Sequence, residues 1–168
     1  MTRLYLMRHG ETVDNARQMM QGQSQGQLNA TGVAQAEEAR DRLADVRFDA
    51  IVASDLHRSI ETAEIMALPH SITVTTTPLL RERDWGDFTG RFIPDLKGEP
   101  WPPNVESMEH MMARATEFLD FIRQHWPGGQ VLAVGHGIMN KAIQAVLLNT
   151  QTRHIERMAN AEVRVFEI

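Results

Sequence analysis

Short apolar, strand-like runs alternate with helix-periodic segments along the whole chain, and this alternation constrains the fold more than any other feature of the sequence. Leu4–Met7 reads as a strand, and the polar stretch Gln18–Asn29, with Gly22 and Gly26, reads as a loop. Thr31–Ala44 carries helical spacing (Val33, Ala36, Ala39 or Arg40, Leu43), with Thr31 as its expected N-cap. Asp49–Ser54 is a buried strand by its short apolar run, and Leu56–Leu68 is helical, with Ile60, Ala63 and Met66 or Ala67 on one face. The β-branched stretch Ile72–Thr76 predicts a third strand. Gly86–Asn104 mixes Gly, Pro and aromatic residues without a period and predicts a loop holding at most a turn of helix. Ser107–Trp126 is the longest amphipathic helix, stopped by Pro127-Gly128-Gly129. A strand at Gln130–Gly135, a helix at Gly137–Leu148 and a last strand at Glu162–Ile168 complete the pattern. Strands joined by helices make crossover units, so the expected fold is α/β: a three-layer sandwich, a mainly parallel sheet with helices on both faces. With 168 residues, no internal repeat and no linker, the expectation is one domain spanning residues 1–168.

Composition excludes several functions. A net charge of −5 argues against a protein built to grip nucleic acid, which needs clustered Lys and Arg. The absence of cysteine rules out disulfides, zinc–thiolate sites and iron–sulfur clusters. No run approaches the ~18 apolar residues of a membrane span, and no signal peptide is visible, so a cytoplasmic location is expected.

In α/β sheets ligands bind at the carboxyl ends of the strands. The first strand runs into Arg8-His9-Gly10, the second into Ser54-Asp55-Leu56-His57-Arg58, and the one at Gln130–Gly135 into His136-Gly137. Three strands thus carry His9, Arg58 and His136 toward one edge. Arginine is permanently charged and holds phosphate oxygens through its planar fork. A neutral imidazole is a nucleophile near neutral pH, and neighbouring guanidinium groups keep it neutral. Flanking glycines admit close backbone approach and offer amide donors. Together these residues predict phosphoryl transfer through a phosphohistidine. A metal fits poorly, since the arginines would repel it and no HxxxH or acidic ligand cluster appears; no cofactor is expected.

LMRHGET, SDLHRSIETA, RERDWGDFTG and AVGHG, in this order and across nearly the whole chain, resemble the histidine phosphatase superfamily, with its phosphoglycerate mutase-like fold. The resemblance implies a metal-independent, histidine acid phosphatase-like enzyme. His9 would take the phosphoryl group; Arg8, Arg58 and His136 would hold its oxygens; Glu82 would give a proton to the leaving alcohol. Asn15, Gln21, Gly22 and Gly137 would bind the phosphate. Glu82 and His136 are 54 positions apart, too close for the long insertion that encloses the intermediate of the mutases, which favours transfer to water. The implied substrate is a small phosphorylated metabolite, with no nucleic-acid or membrane partner. The alternatives are phosphoglycerate mutase-type transfer and a non-catalytic phosphate-binding regulatory module.

Simpler roles compete for several residues. Glu11 fits a structural role, Asn15 a helix cap, Asp84 and Asp87 turns, and Glu82 an ion pair with Arg81 or Arg83. His57, His70, His110, His125 and His154 fit surface or packing positions. Arg83, Trp85, Phe92 and Trp101 fall where the resemblance puts the substrate mouth. Where many family phosphatases read Gly-Glu-Ser ahead of the long helix, this chain reads Val105-Glu106-Ser107, which leaves the shape of that loop open.

Overall fold

The computed structural model describes all 168 residues. Five strands form one sheet: β1 (Arg3–Arg8), β2 (Ala50–Ser54), β3 (Thr75–Thr77), β4 (Gln130–Gly135) and β5 (Val163–Glu167). Their order is β3-β2-β4-β1-β5. β1 pairs with β4, β4 with β2 and β2 with β3 in parallel, while β5 lies antiparallel on the outer side of β1. The helices are α1 (Val13–Ala16), α2 (Ala30–Arg42), α3 (His57–Ala67), α4 (Met108–His125) and α5 (Gly137–Leu147).

β1, β2 and β4 are buried almost throughout, as expected of strands covered on both faces. Successive side chains point to opposite faces. Leu4, Leu6, Val52, Val131 and Ala133 face α4 and α5, meeting Phe118, Leu119, Ile122 and Ile143. Tyr5, Met7, Ile51, Ala53, Leu132 and Val134 face the other way, onto Ala39 of α2, Ala63 and Met66 of α3, and Phe48. The expected three-layer α/β sandwich is the observed one. No helix is long and apolar enough to cross a membrane.

Two expectations need correction. Helix α2 is capped by Asn29, whose side chain accepts from the Gly32 amide at 2.8 Å; Thr31 lies inside the helix. The third strand is not Ile72–Thr76 but Thr75–Thr77, because pairing with β2 begins only where Thr75 meets Val52. Ile72 and Val74 pack beneath the sheet instead of joining it. The short helix α1 also went unforeseen. Thr12 caps it, and Asn15 closes a reciprocal capping box. The loop with no clear period, Gly86–Asn104, holds two 3₁₀ turns, Gly86–Phe88 and Ile93–Leu96.

Candidate active site

β1 and β4 run in parallel with Arg8 opposite Gly135, so the residues that follow, His9 and His136, emerge side by side at one edge of the sheet. Their rings meet edge-on with centroids 5.1 Å apart. β2, on the other flank of β4, ends at Ser54; the chain then turns into α3 and places Arg58 in its first turn. Oγ of Ser54 lies 2.7 Å and Oγ of Ser59 3.1 Å from Nε2 of His136.

His9 is 3 % exposed. Its Nδ1 lies 2.7 Å from the Gly10 carbonyl oxygen. A carbonyl only accepts, so Nδ1 carries the proton and Nε2 keeps its lone pair. Burial and then the Arg58 guanidinium push this imidazole well below its usual value; the Gly10 carbonyl opposes them, and Arg8 and Arg157 add to the depression. His9 is therefore neutral near neutral pH. Gly10 has to be glycine here: a Cβ would sit 2.5 Å from the Gly32 carbonyl oxygen at the start of α2.

Two buried arginines stand beside it. Arg8 donates from Nη1 to the Met158 carbonyl at 2.8 Å. Arg58 donates from Nη1 to the Ser24 carbonyl at 2.8 Å and from Nη2 to that of Gly22 at 2.6 Å. Burial first, then Arg157, lowers Arg8 to about 10 against the pull of Glu82. Burial lowers Arg58 to about 10 against Glu82 and Asp14. Both remain charged at neutral pH. Nε of Arg8, Nε of Arg58 and Nδ1 of His136 are buried without partners. When a serine hydroxyl donates to Nε2 of His136, the ring proton sits on Nδ1, and all three atoms are donors. Buried unpaired donors are costly, and a compact anion with several oxygens answers them and the two charges together.

Glu82 is not part of an arginine ion pair. Arg81 spends its guanidinium on Asp55, with two bonds of 2.7 Å. Arg83 stacks against Trp85 and Trp101, 4.9 Å from each ring, and donates to the Glu106 carbonyl. The Glu82 carboxylate instead accepts from the amides of Ile138 and Met139 in the first turn of α5, at 3.1 Å each, and from the Arg83 amide at 2.8 Å. Its backbone is held by a residue that sequence reasoning missed. Arg114 on α4 donates to the carbonyls of Leu79, Arg81 and Glu82 and to the Glu106 carboxylate. Glu106 also pairs with His110, and Ser107 caps α4, so the loop forms without the glycine.

A pocket of about 200 Å³ opens where these elements meet. Of the residues singled out in the sequence, Arg8, His9, Asn15, Gln21, Gly22, Arg58 and Glu82 line it. His136 and Gly137 are not among its walls; both are buried, His136 against His9 and Gly137 beside the Arg8 guanidinium. Asn15 does two jobs: its Oδ1 serves the cap of α1, and the residue also faces the pocket. Gln21 accepts from the Thr12 hydroxyl at 2.9 Å. The remaining wall is Met19, Met20, Trp85, Ile93, Ile138 and Arg157. Of the foreseen mouth residues only Trp85 is in it. Arg157 had no signal in the sequence. Glu11 is structural, accepting from the Asn29 side chain, and Asp84 and Asp87 stabilise turns.

The family model for the histidine phosphatase superfamily, branch 1, matches residues 4–168. The uncharacterized phosphatase PhoE of Bacillus subtilis is 36 % identical over 151 residues, covering 88 % of this chain and 76 % of that protein. A Yersinia pestis protein named "Probable phosphoglycerate mutase GpmB" is 33 % identical over 171 residues, covering 94 % of this chain and 79 % of its own. Among solved structures, a mycobacterial glucosyl-3-phosphoglycerate phosphatase, in complex with VO3, superposes with a TM-score of 0.90 at 27 % identity, over 97 % of this chain and 91 % of that one. Motif order, strand-end geometry and these likenesses agree, and the chain belongs to the histidine phosphatase superfamily, branch 1.

Proposed function

We propose that this chain is a phosphomonoester hydrolase that works in two steps through phosphorylated His9, as a single domain in the cytoplasm. The observation that carries the proposal is the neutral imidazole of His9, with Nδ1 bonded to Gly10 and Nε2 free, set among buried donors that have no partner.

Nε2 of His9 attacks phosphorus in line, and the P–O bond to the alcohol breaks as the N–P bond forms. Arg8 and Arg58 bind the phosphoryl oxygens and stabilise their charge in the transition state. Nδ1 of His136, behind His9, supplies a further donor. Glu82 gives a proton to the departing alkoxide, then takes one from the water that breaks the N–P bond and releases phosphate. The positive charge that a metal would supply comes from the two arginines. Asn15 and Gln21 orient the phosphate from the loop side, with Gly22 beside them; Gly137, behind the wall, leaves room for the Arg8 guanidinium. The named activity of the mycobacterial structural relative supports a small phosphorylated metabolite as substrate. The mutase reading rests on relatives named as probable phosphoglycerate mutases, such as the Yersinia protein, and is disfavoured by the short segment between Glu82 and His136.

The test is a brief reaction with labelled phosphate ester, quenched in alkali to preserve the acid-labile phosphohistidine. Wild type should carry label and release phosphate, and His9→Ala should do neither while keeping its fold. An active His9→Ala protein would put the nucleophile elsewhere. Isomerisation of phosphoglycerate without phosphate release would favour the mutase.

A further inference from the structure

Arg157 is the one charged residue of the pocket wall that the proposed mechanism leaves without a role. It sits on the segment between α5 and β5, is exposed, and makes no hydrogen bond or ion pair within the chain. The segment that carries it is nonetheless fixed. The carbonyl of the next residue, Met158, accepts from Arg8; the Asn160 side chain donates to the His9 carbonyl; and the Ala161 amide donates to the carbonyls of Arg8 and His9. Arg157 is thus tied to the backbone of the nucleophile. A Cβ added to Gly137 would lie 3.5 Å from the Arg8 guanidinium and 3.7 Å from Nε of Arg157, so the two cations flank the same first residue of α5.

The charges in the wall do not balance a simple phosphate ester. Arg8, Arg58 and Arg157 are positive, and Glu82 is the one carboxylate. Asp14, which bears on Arg58, is not part of this wall. When Glu82 holds the proton it must deliver, three positive charges face the two of a phosphate dianion. One is left over, on the exposed side chain at the rim. Arg8 and Arg58, buried beside His9, are placed for the phosphoryl oxygens; Arg157 is placed for what projects from them.

We propose that Arg157 is a specificity-determining residue, binding a second acidic group, a carboxylate or a further phosphate, on the ester whose phosphoryl group is seated at His9. This rests on the phosphatase reading above and narrows its substrate class to esters carrying two acids. A guanidinium–carboxylate or guanidinium–phosphate contact is charge-assisted and forked, enough for about tenfold or more in discrimination.

Three esters of one alkyl chain test it: propyl phosphate, 3-phosphonooxypropanoate and propane-1,3-diol bisphosphate. Wild type should favour at least one acid-bearing ester over propyl phosphate by about tenfold or more in kcat/KM, and the better of the two tells carboxylate from phosphate. Arg157→Met should collapse that preference toward unity, chiefly through KM, and Arg157→Lys should keep part of it. A wild type with no preference overturns the proposal. So does an Arg157→Met protein that loses equally on all three esters, since Arg157 would then serve the transferred phosphoryl group. A wild type inactive on these esters and on p-nitrophenyl phosphate is a separate result, which overturns the phosphatase reading itself.

Discussion

Two arginine-centred networks meet at Glu82, and they are built on opposite rules. Around Arg114 every demand is met: its guanidinium serves three backbone carbonyls and the buried Glu106 carboxylate. Burial works against ionised Glu106, yet the bonds from Arg114, the Asp84 amide and His110 pull its carboxyl below the usual range. Around His9 the arginines lie deeper still, but Nε of each is unpaired and no carboxylate salt-bridges them. A saturated network fixes backbone; an unsaturated one keeps its donors for a ligand. The difference teaches where to look for chemistry in such a chain: among the buried cations whose hydrogen-bonding capacity is left over.

Glu82, on the pocket side of the seam, carries the largest expected effect. General acid catalysis is typically worth roughly 10²–10⁴-fold. Glu82→Gln should lower kcat/KM for alkyl phosphates by about that much, and far less for p-nitrophenyl phosphate, whose leaving group departs unaided. Stability should fall by about 1–3 kcal/mol, since the single Gln oxygen can keep the bonds from Met139 and Arg83, while its NH2 faces the Ile138 amide, which loses its acceptor, and the charge at the helix N-terminus is lost as well. Equal losses on both esters would remove Glu82 from the role of acid.

Arg114, on the saturated side, should behave the other way. Arg114→Met leaves the Glu106 carboxylate buried without its main partner, a loss of about 3–5 kcal/mol. The melting temperature should fall by roughly 10 °C or more. Below the melting transition the residual defect should fall on alkyl esters more than on p-nitrophenyl phosphate, because the backbone being released is that of Glu82. A variant of unchanged stability would break the contrast between the two networks.

The smallest effect concerns pH. Burial first, and then Arg58, hold both His9 and His136 well below the usual histidine value. Above about pH 6.5 these residues are neutral folded or unfolded, and their contribution to stability is whole. Below it the unfolded chain binds protons that the folded one refuses, so stability falls with pH, by up to about 1.4 kcal/mol per pH unit for each histidine. Urea midpoints between pH 7.5 and 5 should fall less steeply for His136→Asn than for wild type. Parallel slopes would mean that His136 takes up its proton in the folded state.

The pocket side of this comparison was largely legible in the sequence, and the saturated side was not. His9, Arg58 and His136 could be placed because each follows an apolar run, and parallel strands bring their carboxyl ends to one edge. Arg114 could not, since beside Glu106 its partners are main-chain carbonyls 32–35 positions away that any residue could supply. Arg157 sits among Arg153 and Arg164 with nothing local to set it apart; only the stitching of residues 158–161 to Arg8 and His9 places it. The errors at Thr31 and at Ile72–Thr76 have the same origin. Asn29 and Thr31 are both good caps two positions apart, and a β-branched run cannot say where pairing to a neighbour begins.

The pairing of β1 sets when in the life of the chain this activity can appear. Arg3 in the strand that mounts His9 is aligned with Gln130 on one side and Glu167 on the other. No segment of neighbouring residues can make a partial version of the pocket. Such distant pairings close large loops before they return any stabilisation, which makes folding slow and all-or-none. His9 precedes the residues that fix it by more than a hundred positions, so the site proposed here is complete only once β4 and the segment leading into β5 have docked on β1.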